Sequence, residues 1–489
     1  MLNRLHLFFG CLFSVSTAVL AQVVPPAPYG ALPSARQLAW HETEMYVLIH
    51  FTPTTFENKE WGYGDALPTL FHPTAFDAPQ IVRAAKAGGF RGLVFVAKHH
   101  DGFALWPTAT TPYNISQSGW KNGQGDMVAE FSQASRAEGF RFGIYCSPWD
   151  RNNPHYGTQE YVRIYREQLK ELYTRYGPLF MSWHDGANGG DGYYGGTREK
   201  RQIDNATYYG WDTTWAMTRQ LQPDACLFSD VGWDVRWVGN EKGEAAETSW
   251  STFTAMPLPG KAKAGPGESN YRLNPVGTRD GKNWMPAECD VPLRRGWFYH
   301  PEEDTTVKSP EKLFEIYLKS VGRGGALDLG LAPDRRGQLH ESDVKALEGF
   351  GALLQKTFAR NLASEATVKA SHTRGQSPEL FGVSRLTDGD RLTYWSTDDH
   401  VQLPALTFHW QQQHELRYLK IREHLPLGQR VGSFEVDAWQ DGDWKSIAKG
   451  SSIGACRILR FEKAVRTTGI RIRITDAPVC PAISEVGLY

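Results

Sequence analysis

One unit recurs from about residue 45 to residue 356. A stretch of helical periodicity is ended by glycine, followed by a short apolar run, and then by polar or aromatic residues. Residues 45–51 (MYVLIHF) form the first apolar run and bring His50 to its end. Residues 81–87 read as helix and stop at Gly88-Gly89. Residues 91–97 then read as a strand running into Lys98-His99-His100-Asp101-Gly102-Phe103. The unit repeats as helix 127–138, Gly139, strand 142–146 and Ser147-Pro148-Trp149-Asp150. A longer helix follows, because Tyr161, Tyr165, Leu169, Leu172 and Tyr176 are spaced 4, 4, 3 and 4 and share one face. It leads through Gly177-Pro178-Leu179-Phe180-Met181 to Ser182-Trp183-His184-Asp185-Gly186, a buried run ending in an aspartate. A shorter strand at 226–230 precedes a loop-rich stretch to about Tyr299. Helix 310–321, strand 326–331 and helix 341–356 close the series. The reading is α/β: a (β/α) TIM-like barrel over residues 22–360, since no Gly-rich dinucleotide loop argues for an open sheet.

After Arg360 the period changes. Phe434, Val436 and Ala438 alternate with Glu435 and Asp437, and Ile470, Ile472 and Ile474 alternate with Arg471 and Arg473. Asp441-Gly442 is a hairpin signal. Residues 361–489 therefore read as an antiparallel β-sandwich. At the other end, Arg4, the apolar residues 7–20 and Val19-Leu20-Ala21 read as an export signal over residues 1–21, cleaved before Gln22. The run is shorter than the roughly 20 apolar residues a membrane anchor needs. Export places the protein in the periplasm or outside the cell. Of the 6 cysteines, Cys11 falls in this leader. Cys146, Cys226, Cys289, Cys456 and Cys480 are too few and too scattered for a disulfide framework, although Cys456 and Cys480 stand on late strands that could pair.

A net charge of −1 gives no basis for binding nucleic acid or an anionic membrane. The 17 Trp and 20 Tyr suit a carbohydrate enzyme, because such rings stack on the apolar faces of sugars. In a barrel the strand ends converge on one mouth. Four of them carry candidate chemistry: His50, His99-His100, residues 145–150, and His184-Asp185. Adjacent histidines on a strand point to opposite faces, so one of His99 and His100 is expected to pack away from the mouth unless the strand has already ended. A strand-end aspartate is also a common turn cap. Hydrolysis of a glycosidic bond requires a second carboxyl besides Asp185. Glu241, flanked by glycines in an aromatic loop, is one candidate, since partial desolvation would raise its pKa as a general acid requires. Glu288 is the alternative acid/base. His99, His100, Asp101 and Asp185 are the ligands a metal-dependent hydrolase would use, but no His pair at helical spacing and no Cys pair accompany them.

Taken in order, these residues resemble the family-29 glycoside hydrolases, the α-L-fucosidases. The resemblance spans residues 36–350. It rests on the strand ending at His50, Glu60-Trp61, His99-His100-Asp101-Gly102-Phe103, Trp183-His184-Asp185-Gly186, Arg295-Gly296-Trp297-Phe298, and Ser320-Val321-Gly322-Arg323-Gly324-Gly325. It implies an enzyme that removes fucose from oligosaccharides or glycoconjugates with retention and without a catalytic cofactor. Asp185 would be the nucleophile. His50, Glu60, Trp61, His99, His100 and Tyr145 would bind fucose, with Trp297 near the sugar methyl. Residues 234–243 resemble the subgroup preferring α-1,3/1,4-linked, branched fucose, where Glu241 matches the acid/base position. Trp233, Trp237 and Trp250 would then stack on the branched leaving group. A His precedes Asp185 where many relatives carry Phe.

Residues 361–489 resemble discoidin-like (factor V/VIII type C) sandwiches, on Asn361-Leu362-Ala363, Thr387-Asp388-Gly389-Asp390, Tyr394-Trp395 and Ser484-Glu485-Val486. Relatives often hold a structural calcium there, which implies Asp388, Asp390 and Glu485 as its ligands. Two other readings stand beside the fucosidase: a metal-dependent barrel hydrolase, and a sugar-binding protein without catalysis.

Overall fold

The computed structural model describes residues 23–267 and 269–489; the expected export leader lies outside them. Eight parallel strands close a barrel: β1 (Met45–Ile49), β2 (Gly92–Lys98), β3 (Arg141–Cys146), β4 (Met181–Trp183), β5 (Cys226–Ser229), β6 (Val235–Trp237), β7 (Ala287–Pro292) and β8 (Ala326–Leu331), with β8 pairing back onto β1. Helix α1 (Ala35–His41) precedes β1. The short α2 (Pro53–Glu57) and α3 (Ala78–Ala87) follow β1. Then α4 (Met127–Ala137), α5 (Gln159–Arg175) and α6 (Trp211–Leu221) follow β2, β3 and β4, while α7 (Pro310–Lys319) and α8 (Glu341–Phe358) follow β7 and β8. Helix starts are set locally: Asp77 accepts from the Gln80 amide to begin α3, and Asp126 from the Ala129 amide to begin α4.

The strands are buried on both faces, and the alternation is visible only in what each residue touches. Tyr46, Leu48, Val94, Val96, Tyr145, Met181, Trp183 and Phe228 fill the barrel interior. Val47, Ile49, Leu93, Phe95, Phe142, Ile144 and Leu227 face the helices. Six of the strands match apolar runs in the sequence, although β4 starts later than its run. β6 and β7 do not. β6 is short and overlaps β5 only at Phe228 opposite Val235 and Ser229 opposite Arg236, with no helix between. β7 reads AECDVP; its inward Glu288 and Asp290 and its terminal proline hide the strand period. No α-helix joins β6 to β7 among the described residues, and residues 238–286 run as a long excursion over the mouth side.

Residues 367–488 form the antiparallel sandwich. Its longest strands, Ala405–Glu423 and Arg457–Asp476, pair together with register shifts between His409 and His414 and between Leu416 and Tyr418. The two halves of Ala405–Glu423 have different second neighbours, Thr367–Ala370 and Ala482–Leu488. Leu406, Phe408, Leu419, Phe434, Val436, Ile470 and Ile472 form the core. The Asp441-Gly442 hairpin is present, with both residues at positive φ.

Two expectations for this domain are corrected. Cys456 and Cys480 are separate buried thiols; Cys480 instead receives a hydrogen bond from Arg430. Asp388, Asp390 and Glu485 are not gathered into one metal-binding group. Asp388 accepts from the Asp390 amide and the Thr393 hydroxyl, Asp390 accepts from the Leu392 amide, and Glu485 pairs with Arg422. Each carboxylate is spent on a turn or a guanidinium, and no group of three or more metal-ligating residues occurs among the described residues.

The sandwich docks on the barrel through buried ions. Arg422 reaches Glu44, at the foot of β1, at 2.6 Å, and Arg391 reaches the same carboxylate at 2.8 Å. Burial works against an ionised Glu44, but the two guanidiniums outweigh it and hold its pKa below the carboxylate range. Arg422→Ala would leave Glu44 to Arg391 alone and take away the partner of Glu485. A loss of about 3–5 kcal/mol is expected, as when a buried pair loses one partner, and should be read as a lower urea midpoint and faster cleavage between the domains by added protease.

Candidate active site

The C-terminal strand ends gather the candidate residues into one cup. His50 follows β1. His99 and His100 follow β2, Tyr145 closes β3, Asp185 lies past β4, Glu241 past β6 and Trp297 past β7. A register shift between Val96 and Lys98 turns Lys98 outward, where it donates to Gln168 and Tyr161 of α5 and pairs with Asp150. The strand has therefore ended before the histidine pair, and both rings line the cup, 4.1 Å apart. His99 packs on His50, Tyr145 and Phe298; His100 packs on Trp61 and Trp149.

Strand parity places Asp185 inward, like Met181 and Trp183, and His184 outward. His184 sits against Trp211 and within hydrogen-bond reach of Tyr165, at 2.8 Å, and Ser182, at 3.1 Å. It locks β4 to α5 and α6 and does not face the cup. Asp185 accepts from the Tyr145 hydroxyl at 2.8 Å and the Ala187 amide at 2.7 Å. Its side chain is 22 % exposed, open enough to be reached. Burial raises its pKa, and those two donors pull it back toward ionisation.

The histidines are neutral. Burial pushes His50 and His100 down to about 3 and His99 well below its usual value, and the Arg151 guanidinium adds to the effect at His100 and His99. The tautomer of His100 follows from its neighbour. Ser147 donates its one proton to the Trp149 carbonyl, so its oxygen must accept from His100 Nδ1, 2.7 Å away. His100 Nε2 therefore turns a bare lone pair toward the Asp185 side of the cup, 3.7 Å from that carboxylate. The Nδ1 atoms of His50 and His99 are buried without a partner among the described residues. Such unspent polar capacity is costly unless a polar molecule completes it.

Glu60 is held by the loop after β7. It accepts from the Trp297 amide and, at 3.4 Å, the Phe298 amide, and His300 lies 3.2 Å away. A side chain at Gly296 would collide with this carboxylate, its Cβ falling on the Glu60 oxygens. Trp61 leaves 49 % of its surface free at the rim. Glu241 is also exposed there, against Trp297. Although it meets solvent, the surrounding wall desolvates its carboxyl and raises its pKa; Asp185 and Glu60 add to the rise, and the Trp297 contact opposes it.

Glu288 is elsewhere: it is 0 % exposed inside the barrel, accepting from Tyr46 and Trp183. Of the three tryptophans expected at the leaving-group side, Trp233 is 60 % exposed, Trp237 is half-buried and donates to Asp290, and Trp250 is 8 % exposed and packs on Arg279. Trp250 faces inward and is removed from that set. The metal-ligand set is not assembled either, because Asp101 accepts from Thr52, Thr54 and the Phe103 amide. Sequence reasoning did not single out Ser147, Trp149 or Phe298, although all three stand in quoted motifs. His300 stands just past the Arg295-Gly296-Trp297-Phe298 motif and carries no sequence signal of its own.

Residues 27–357 match the family described as alpha-L-fucosidase, and residues 367–486 the F5/8 type C domain. The chain belongs to the α-L-fucosidase family. It is 38 % identical to alpha-L-fucosidase 1 of Arabidopsis thaliana over 95 % of this chain and 88 % of that protein. Among solved structures it is similar to a glycoside hydrolase 29 family member from an unknown rumen bacterium, with 36 % identity and a TM-score of 0.81 over 94 % of this chain and 78 % of the other. It is also similar to a Ruminococcus gnavus GH29 fucosidase in complex with fucose, with 29 % identity and a TM-score of 0.82 over 96 % and 97 %. The chain is thus a glycoside hydrolase with α-L-fucosidase character, built as a TIM-like barrel followed by a β-sandwich.

Tyr145 is the side-chain donor to the Asp185 carboxylate, beside the Ala187 amide. Tyr145→Phe should raise the apparent pKa of the acid limb of kcat/KM by about one unit and lower its plateau by about tenfold, the scale of one hydrogen bond to a charged group. The pH profile on an aryl fucoside reads both.

Proposed function

We propose that this fucosidase is a retaining exo-enzyme in which Asp185 is the nucleophile and Glu241 the acid/base, and that it releases α-1,3- or α-1,4-linked fucose from branched oligosaccharides. One observation carries the assignment. Asp185 and Glu241 share the cup and burial raises both, but Asp185 is drawn back toward ionisation by the Ala187 amide and the Tyr145 hydroxyl, whereas the charges of Asp185 and Glu60 raise Glu241 further. Two carboxyls in one cup, one supplied with hydrogen-bond donors and the other facing negative charge, suit the nucleophile and the acid. Asp185 attacks the anomeric carbon as Glu241 protonates the departing oxygen, leaving a glycosyl-enzyme. Glu241 then takes a proton from water as the water displaces Asp185. The unpartnered nitrogens of His50 and His99, the His100 lone pair and Glu60 supply the partners that sugar hydroxyls need. The fucose bound by the R. gnavus relative favours fucose as the occupant. Glu288 is enclosed where no leaving group reaches it, so it is not assigned the proton. The leader over residues 1–21 supports an exported enzyme, periplasmic or secreted.

Activity needs an ionised Asp185 and a protonated Glu241. It should fall on the acid side above the ordinary aspartate range, because the Asp185 pKa is raised. It should fall on the alkaline side as Glu241 loses its proton, above the ordinary glutamate range. Asp185→Gly should lose at least about a hundredfold in turnover. Azide should then rescue it and give the β-fucosyl azide; an α-azide, or wild-type-like turnover without azide, would overturn the assignment. Glu241→Ala should slow natural oligosaccharides far more than activated aryl fucosides, a pattern Glu288→Ala should not show.

The linkage preference draws on the likeness of residues 234–243 to the branched-fucose subgroup and on the exposed ring of Trp233 near the mouth loops. Remote contacts of that kind act mainly on a full oligosaccharide. The expected order of kcat/KM is a Lewis-type trisaccharide first, its unbranched disaccharide next, and 2′-fucosyllactose last. Equal values, or 2′-fucosyllactose first, would reject the linkage and leave the fucosidase intact.

A further inference from the structure

Three carboxyls enclosed beneath the cup have no part in the chemistry above. Glu288 and Asp290 point inward from β7 and Asp328 from β8, with Asp290 opposite Asp328 in register. All three are buried, and none forms an ion pair among the described residues. Their donors are neutral: the Tyr46 hydroxyl and the Trp183 indole give to the two oxygens of Glu288, and the Trp237 indole gives to Asp290. Among the described residues, neither oxygen of Asp328 receives a hydrogen bond. What Asp328 meets is the Glu288 carboxyl. Two charged carboxylates cannot share an apolar enclosure, so this contact holds a proton. Glu288 already accepts at both oxygens, which places the proton on Asp328.

The indole that Glu288 holds is central to the cup. Trp183 stacks on Phe228 at 4.1 Å and on Tyr145 at 4.9 Å, and the Tyr145 hydroxyl donates to Asp185. We propose that Asp328 and Glu288 form a proton-sharing pair that positions the nucleophile, fixing Trp183 from below so that Tyr145 and the end of β4 hold Asp185 at the reacting carbon. Both are positioning residues, and neither touches substrate. The inference rests on Asp185 as nucleophile and is independent of the linkage.

The proton makes the device sensitive to pH. Burial pushes Glu288 up to about 7 and Asp328 well above its usual value. Once the pair is stripped, two charges face each other and the Trp183 anchor loosens. The titratable groups facing the pair are Tyr46 from β1 and Asp290 from β7, the latter coupled to Glu241. From β3 and β5, Tyr145 and Cys226 face the same interior, both raised far above neutrality. A second alkaline limb, separate from that of Glu241, should therefore appear when acid catalysis is not needed.

The test uses the full chain and an activated aryl fucoside, whose good leaving group removes the demand for the Glu241 proton. Asp328→Asn keeps a hydrogen-bond donor to Glu288 but has no proton to lose. The alkaline limb of kcat/KM should move up by about one pH unit or more relative to wild type. Glu288→Gln should lower kcat about ten- to a hundredfold with KM changed less than about threefold. Trp183→Phe keeps an aromatic ring in the stack and removes the indole N–H together with the second ring. It should reproduce that loss, and combining it with Glu288→Gln should add less than about a further twofold. An unmoved limb in Asp328→Asn, or losses in Trp183→Phe and Glu288→Gln that multiply, would overturn the proposal. If Asp328→Asn does not fold, as judged by its melting temperature, the Trp183–Glu288 coupling decides alone. An active Asp185→Gly would instead reject the nucleophile itself, whatever the pair does.

Discussion

Two-sided burial of the barrel strands is the constraint on which the molecule depends. A parallel strand covered by helices outside and by its opposite neighbours inside has nowhere to expose a polar side chain along its length. Polar chemistry is therefore driven to the strand ends or must be satisfied in the interior. The cup holds the first kind: His50, His99, His100, Tyr145 and Asp185, each within a residue or two of where a strand stops. Because the strands converge, residues far apart in sequence come within ring contact, as His50 does with Trp297 at 5.2 Å.

The interior carboxyls are the second kind. Glu288, Asp290 and Asp328 take hydrogen bonds from Tyr46, Trp183 and Trp237, and those rings also fill the barrel. Aromatic residues with one polar atom suit this place, since the ring packs and the N–H or O–H pays the desolvation cost of a carboxyl. The arrangement joins the core to the site. Trp183 belongs at once to the packing layer, to the stack under Tyr145 and to the strand that ends at Asp185.

The sandwich contributes at the opposite side of the barrel. Its guanidiniums, Arg391 and Arg422, reach Glu44 at the start of β1, while Phe358 of α8 packs on Tyr418 and Tyr489. Charge is buried here on both partners, so neither surface is stable alone in the same ionisation state. The Asp388–Asp390 turn lies in this junction, with Arg391 beside it, and its geometry serves docking.

The barrel, the sandwich, the family and most of the cup were legible in the sequence by itself. Helical spacing, glycine stops and apolar runs are local properties, and so is the period-two alternation after residue 430. Asp185 was legible because a strand end is a local event. Only the tertiary structure decided the remainder. β6 escaped notice because it is three residues long with a buried arginine at its centre, and β7 because its inward Glu288 and Asp290 are stabilised by rings on other strands. His99 and His100 share the cup because a shift in pairing with β3 ends β2 one step early. Glu288 and Glu241 are alike as sequence; closure of the barrel encloses one and leaves the other at the mouth. Trp250 turned inward, and the two late cysteines stayed apart, for the same reason: what a side chain faces is fixed by neighbours brought to it through long-range contacts, and a linear pattern does not carry them.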